Sequence, residues 1–178
     1  MNNKKKILAI SGSTREKSSN LNLIKAIEEL TSGIFEIAIF KGLAEIPHFN
    51  PDLDNETPPQ QVKEFRSRLK DADGILICTP EYAMGVPGTL KNAIDWTVSS
   101  AEFSHKPTAL ITASTLGIKG HASLLETLKI IEAGVTEETQ LLISHVKTKV
   151  NEHAITDEKT LADIKKLIDT LYKKVNLS

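Results

Sequence analysis

Pro80-Glu-Tyr-Ala-Met-Gly-Val-Pro-Gly-Thr-Leu-Lys-Asn-Ala-Ile-Asp-Trp96 is the stretch on which the fold reading turns. The run before it, Gly74-Ile-Leu-Ile-Cys78, is almost wholly apolar and lies between a glycine and a proline, the pattern of a strand buried on both faces. After it, Leu90, Ile94 and Val98 recur at helical spacing. Pro87 suits the first turn of that helix, where the N–H that proline lacks is unneeded. The stretch is therefore a strand-to-helix connection at the carboxyl end of a strand, where an open α/β sheet holds its ligands. Its loop carries Glu81, Tyr82, Met84 and Gly85.

The same alternation extends in both directions. Toward the N-terminus, Lys6 to Ser11 reads as a strand, followed by a loop to Asn20 and a helix from about Leu21, with Gly33 as its stop. Phe35 to Phe40 is a second strand; a long proline-broken connector through Ile46-Pro-His-Phe-Asn-Pro-Asp-Leu53 leads to a helix that begins beside Pro58 and Pro59. Toward the C-terminus, Thr108 to Ala113 is a fourth strand. The loop Ser114-Thr-Leu-Gly-Ile-Lys-Gly120 then opens a helix facing inward through Leu124, Leu125, Leu128 and Ile131 and ending at Gly134. Leu141 to Ser144 is the fifth strand, with Val146 extending its edge, and Thr156 or Asp157 caps a final helix. Such alternation requires right-handed crossovers and a mainly parallel sheet covered on both faces. The expectation is one α/β domain over residues 1–178, flavodoxin-like, with strand order 2-1-3-4-5 and helices on both faces. Its switch point brings the loops after strands one, three and four around one crevice.

The whole chain narrows the partner. Its 178 residues suffice for one core without disulfide or metal support, and 40% hydrophobic and 25% charged residues with a net charge of −1 give no reason to expect nucleic acid or an anionic membrane. Cys78 is the single cysteine and lies in an apolar strand, as a buried structural thiol does. The start is too short in apolar residues for a signal peptide, and no run reaches the roughly 18 apolar residues of a membrane span. The chain reads as cytoplasmic, with a small-molecule partner.

The first loop, Gly12-Ser-Thr-Arg-Glu-Lys-Ser-Ser-Asn20, joins a strand to a helix amino end, where unpaired N–H groups and the helix dipole attract an anion such as phosphate. Ser13, Ser18, Ser19 and Asn20 add neutral donors and Arg15 a fixed positive fork; the plainer alternative is that Ser18 or Asn20 merely caps the helix. The loop lacks both G-x-G-x-x-G and G-x-x-x-x-G-K-[ST], and the chain has no H-E-x-x-H, C-x-x-C or G-x-S-x-G. No protein nucleophile stands out, so a bound cofactor is expected to carry the chemistry.

Gly12-Ser-Thr-Arg-Glu-Lys-Ser-Ser-Asn20 resembles the G-S-x-R-x-x-S-x-N phosphate loop of the NAD(P)H-dependent FMN reductase family. Pro80-Glu-Tyr82 through Pro87-Gly-Thr-Leu-Lys-Asn-Ala-Ile-Asp-Trp96 resembles its P-E-Y-N-x-x-x-P-G-x-L-K-N-A-[IL]-D-W segment, and the connector Ile46 to Leu53 is similar too. The resemblance implies non-covalent FMN reduced by NAD(P)H, then electron transfer in ping-pong order to a small acceptor: free flavin, a quinone, an azo compound or an oxidised metal species. By the same resemblance, Ser13, Arg15, Ser18 and Asn20 hold the phosphate, Pro80, Glu81 and Tyr82 line the flavin ring mainly through backbone groups, and Ser114 and Gly117 approach it. The chain departs from the family with Ala83 in place of Asn and Gly85 where Ser is common. Amide contacts at position 83 are lost, and Met84 reads as a loop-packing residue, with an apolar surface beside the ring as the alternative. A homodimer or homotetramer is implied.

Among other residues, Trp96 reads as a core or subunit-contact residue, and Glu81 as an orienting or exposed acid rather than a proton donor. His121, near the start of a helix, reads as a polar helix-start residue, with a place facing the substrate side of the ring as the alternative. The other four histidines lack ligand spacing, and no metal is assigned. The alternative to an enzyme is an electron-carrier module serving a protein partner.

Overall fold

The computed structural model describes residues 4–177. Five strands, β1 (Lys5–Ser11), β2 (Phe35–Phe40), β3 (Gly74–Thr79), β4 (Thr108–Ala113) and β5 (Gln140–Ile143), alternate with five helices: α1 (Ser19–Leu30), α2 (Gln60–Asp71), α3 (Gly88–Asp95), α4 (Ile118–Ile130) and α5 (Glu158–Leu177). The sheet is parallel throughout and ordered β2-β1-β3-β4-β5, the expected flavodoxin-like arrangement. Its central strands are buried along their length, so successive residues serve opposite faces. Ile7, Ala9, Leu76 and Ile111 pack with Leu23, Ile24 and Ile27 of α1 and Ile164, Leu167 and Leu171 of α5. Leu8, Ile10, Ile75 and Leu110 pack with Phe65 and Leu69 of α2, Leu90 and Ile94 of α3, and Leu124 and Leu128 of α4. Cys78 is enclosed in the first of these layers, where burial pushes its thiol pKa well up.

Element ends differ from the sequence reading where side chains intervene. Helix α1 begins at Ser19 rather than near Leu21, because Ser18 is extended and its Oγ accepts from the Asn20 N–H at 3.3 Å. It stops at Leu30, before Gly33, where the Thr31 hydroxyl donates to the Ile27 carbonyl at 2.7 Å. Helix α3 ends at Asp95, which leaves Val98 exposed. Trp96, next after it, turns inward and donates from Nε1 to the Pro47 carbonyl at 2.8 Å, with the Phe49 ring edge-on at 5.1 Å. Trp96 is fully buried within the chain and so is a core residue that fastens the long connector, not a subunit contact. Val146 belongs to a short 3-10 turn, 146–148, rather than to the edge of β5. Asp157 caps α5, its Oδ2 accepting from the Thr160 N–H at 2.8 Å.

Candidate functional site

A cavity of about 480 Å³ opens at the carboxyl ends of β1, β3, β4 and β5, within the size range of small-molecule sites. The β1 loop forms its first wall. Gly12 there donates to the Cys78 carbonyl at 2.8 Å. A Cβ on Gly12 would sit 2.1 Å from Thr79 Oγ1, so only glycine lets this loop lie against β3. Beyond it the Ser11 hydroxyl donates to the Ser13 carbonyl at 3.0 Å, and Ser13 Oγ, which accepts from the Arg15 N–H at 3.5 Å, lies 3.3 Å from the Tyr82 hydroxyl. Ser18 Oγ accepts from Asn20, which leaves its own O–H to donate. Arg15 and Lys17 also line the cavity and are exposed.

Asn20 is buried, and its Nδ2 donates to the Ala113 carbonyl at 3.1 Å, tying α1 to the end of β4. A carbonyl only accepts, so this contact fixes the amide orientation. Its Oδ1 is buried without a hydrogen-bond partner among the described residues.

The second wall is the loop after β3. Pro80, Glu81 and Tyr82 line the cavity. Past them the chain reverses in a tight turn closed by Tyr82 N–H to Gly85 C=O (3.1 Å) and Gly85 N–H to Tyr82 C=O (2.9 Å). Ala83 and Met84, the residues at its tip, both take left-handed backbone angles, with φ of 47° and 59°. Ala83, Met84 and Gly85 are outside the cavity lining, with Met84 70% exposed. Gly117 is outside it too: with φ of 89° it caps α4, and a Cβ there would meet Leu142 Cδ1 at 2.8 Å. Ser114 lines the cavity, and its Oγ accepts from the Glu81 N–H at 3.2 Å.

The remaining wall went unread in the sequence. His145, Val146, Lys147 and Thr148, after β5, line the cavity beside Thr115 of the β4 loop. The His145 and Val146 N–H groups bond the carbonyls of Thr115 and Ser114 at 3.0 and 3.1 Å, which holds this turn against the β4 loop. Lys147 joins Arg15 and Lys17 as a cation on the cavity. The available signal was topological: strand order 2-1-3-4-5 puts the loop after β5 beside the loop after β4.

His121 is not in the lining. Its Nε2 lies 3.1 Å from Gln140 Oε1 and its Nδ1 2.9 Å from Thr112 Oγ1. Because Oε1 only accepts, Nε2 carries a proton, and in the neutral ring Nδ1 then accepts from the threonine hydroxyl, which fixes the tautomer between β4 and β5. Burial lowers its pKa, more than the Gln140 hydrogen bond raises it. Among the described residues no group of three or more His, Cys, Asp and Glu side chains is placed to hold a metal, and no helix is long and apolar enough to cross a membrane.

These features define a flavodoxin-like α/β protein with a cavity at the switch point of its sheet that is lined by three cationic side chains, Arg15, Lys17 and Lys147. Residues 5–148 match the NADPH-dependent FMN reductase family, and the chain belongs to that family. It is 34% identical over 131 residues to an NADPH azoreductase of a Bacillus species, covering 73% of this chain and 70% of that protein. It is 35% identical over 117 residues to a quinone reductase of Pseudomonas putida, covering 64% of this chain and 62% of that relative's length. The fold is similar to that of the flavoenzyme NAD(P)H:(acceptor) oxidoreductase of Paracoccus denitrificans, with a TM-score of 0.76 at 24% identity over 97% of each chain.

Proposed function

We propose that the protein is an FMN-dependent oxidoreductase that passes electrons from NAD(P)H to a small acceptor, with a quinone or an azo compound as the acceptor class that its relatives' names favour. The observation that carries this reading is the donor set of the β1 wall. Ser18 offers its O–H at the amino end of α1, and Arg15, Lys17 and Lys147 supply positive charge. That set fits a phosphate, which has acceptor oxygens only. On this reading Ser13, Arg15, Ser18 and the α1 amino end hold the FMN phosphate. Asn20 is different: its unpartnered Oδ1 fits a ligand hydroxyl, as on the ribityl chain, better than a phosphate oxygen.

The β3 and β4 loops position the rest of the ligand. Bound FMN supplies the hydride-accepting ring and the electron store between the two half-reactions. Glu81 N–H, held by the Ser114 hydroxyl, is a donor that can turn to a ring carbonyl when the hydroxyl releases it, whereas Tyr82 N–H is committed to the turn. Pro80 and the Tyr82 ring shield that side from water. Ala83, Met84, Gly85 and Gly117 act from the rim or from behind the wall rather than as contacts inside the cavity.

Met84 and Leu116, on the loops after β3 and β4, and Ile118, the first residue of α4, are exposed. This apolar rim supports a homodimer or homotetramer in which a second copy covers the mouth of the site, and light scattering tests it: a monomer with FMN bound overturns this arrangement. The buried Cys78 fits a reducing, cytoplasmic setting.

The test of the central reading is anaerobic. The protein, loaded with FMN and freed of excess, is mixed with NADPH or NADH; the flavin bands are expected to bleach and to return on adding a quinone. A chain that retains no flavin overturns the reading. Intersecting rather than parallel steady-state lines would overturn the ping-pong order alone.

A further inference from the structure

Glu81 makes a contact that its place in the loop does not announce. Its Oε2 accepts from the Gly120 N–H at 2.6 Å and its Oε1 from the Gly117 N–H at 3.3 Å, across 39 and 36 residues of chain. Helix α4 has no other acid for this purpose: its N-cap is Gly117, without a side-chain bond, and its first turn holds no acidic residue. The Glu81 carboxylate therefore occupies the amino end of α4, where a negative charge is favoured.

The surroundings are shaped for this contact. A Cβ on Gly120 would lie 3.1 Å from both Cβ and Cγ of Glu81 and 3.0 Å from the Gly85 carbonyl. Glycine at 120 is what allows the β3 loop and α4 to touch. The loop so held contains two non-glycine residues in left-handed conformations, Ala83 and Met84, which persist only where their surroundings impose them. The same residue's N–H meets Ser114 at 3.2 Å, so Glu81 links the β3 loop to the β4 loop at both its main chain and its side chain.

We infer that Glu81 is a positioning residue for flavin binding: its carboxylate, seated on the amino end of α4, holds the Pro80–Gly85 loop in the shape that forms the β3 wall of the cavity. This rests on the FMN reading above. Both oxygens are engaged by N–H donors, so Glu81 acts through the loop it orders and not as a proton source.

The experiment titrates the full chain, freed of flavin, with FMN and separately with riboflavin, following bound ligand by equilibrium dialysis, for the parent, Glu81→Ala, Glu81→Gln and Arg15→Ala. A loop that occupies its binding shape only about a tenth of the time weakens any ligand resting on it about tenfold. Glu81→Ala is therefore expected to weaken FMN and riboflavin by one common factor of about tenfold. Glu81→Gln, which keeps one acceptor oxygen, should fall between it and the parent. The absorption bands of bound flavin should shift in both variants. Arg15→Ala, by contrast, should weaken FMN and spare riboflavin, which has no phosphate.

If Glu81→Ala does not fold, Glu81→Gln against the parent decides on the same criterion. Parent-like affinity for both ligands with unshifted bands, or a loss confined to FMN, overturns the inference while leaving the FMN reading in place. A parent that binds neither flavin overturns the FMN reading itself.

Discussion

The wall made by the β1 loop leaves Arg15 and Lys17 in solvent and presents hydroxyls whose lone pairs are taken by backbone N–H groups. The wall made by the β3 loop carries no cation. It buries Pro80, closes a turn on two backbone hydrogen bonds, and is pinned from behind by one carboxylate on two N–H groups. Charge and donors serve the first, shape the second. A ligand with an anionic tail and a flat head needs both, and the two walls should therefore fail differently when altered.

The most disruptive change removes the joint between them. Gly12→Ala places a methyl against Thr79 Oγ1 at 2.1 Å; relief by shifting the loop should cost about 3 kcal/mol of stability, as severe overpacking does. Thermal unfolding should show a fall of several degrees, and an unchanged melting temperature would mean that the two loops are not in contact in solution.

Next is the charged wall. Arg15→Ala removes one charge-assisted contact to phosphate, worth about 1.5 kcal/mol at an exposed position or on the order of tenfold in FMN affinity. The loss should shrink at high salt; an equal loss for riboflavin would assign Arg15 to the shape of the site instead.

The shaped wall allows a gain. Ala83 sits at φ of 47°, where an L-residue is penalised and glycine is not. Ala83→Gly should therefore raise stability by roughly 0.5–1 kcal/mol, or about 2–3 °C. A lower melting temperature would show that the turn is held some other way.

The smallest effect lies away from both walls. His121 has its pKa lowered by burial from an ordinary value of 6.5. As pH falls below 6.5 the unfolded chain takes up this proton before the folded one does, so this component of stability is intact above 6.5 and is lost as pH drops toward the folded value. The stability difference between the parent and His121→Gln should be constant above pH 6.5 and narrow below it. A difference that widens on acidification would mean that the folded histidine binds its proton more tightly.

How much of this could be read from the chain follows from how far apart the interacting residues are. Strand runs such as Gly74 to Thr79, the helix stripes, and caps such as Ser18 and Asp157 are local, and they specify the parallel sheet and its order. The β1 loop was equally legible, because its donors stand within nine residues of each other around one helix start. The β3 wall was only half legible. Its position followed from the strand before it, but the direction of the Tyr82–Gly85 turn depends on positive φ at two residues with no such preference, and the Glu81 contact spans 39 residues. The turn after β5 carries no pattern at all; it reaches the cavity only because β5 pairs with β4. Where α3 ends, Trp96 bonds the Pro47 carbonyl, again a contact far along the chain.

That contact gives the protein an internal optical gauge. Trp96 is its one tryptophan, and it is wholly enclosed with its indole N–H on the connector. Emission excited at the long-wavelength edge of the indole band, beyond tyrosine absorption, therefore reports a single seam, between α3 and the Ile46–Phe49 segment. Emission at short wavelength belongs to the closed seam, and a red shift that precedes the loss of helical circular dichroism would show the connector lifting away while the sheet is still intact.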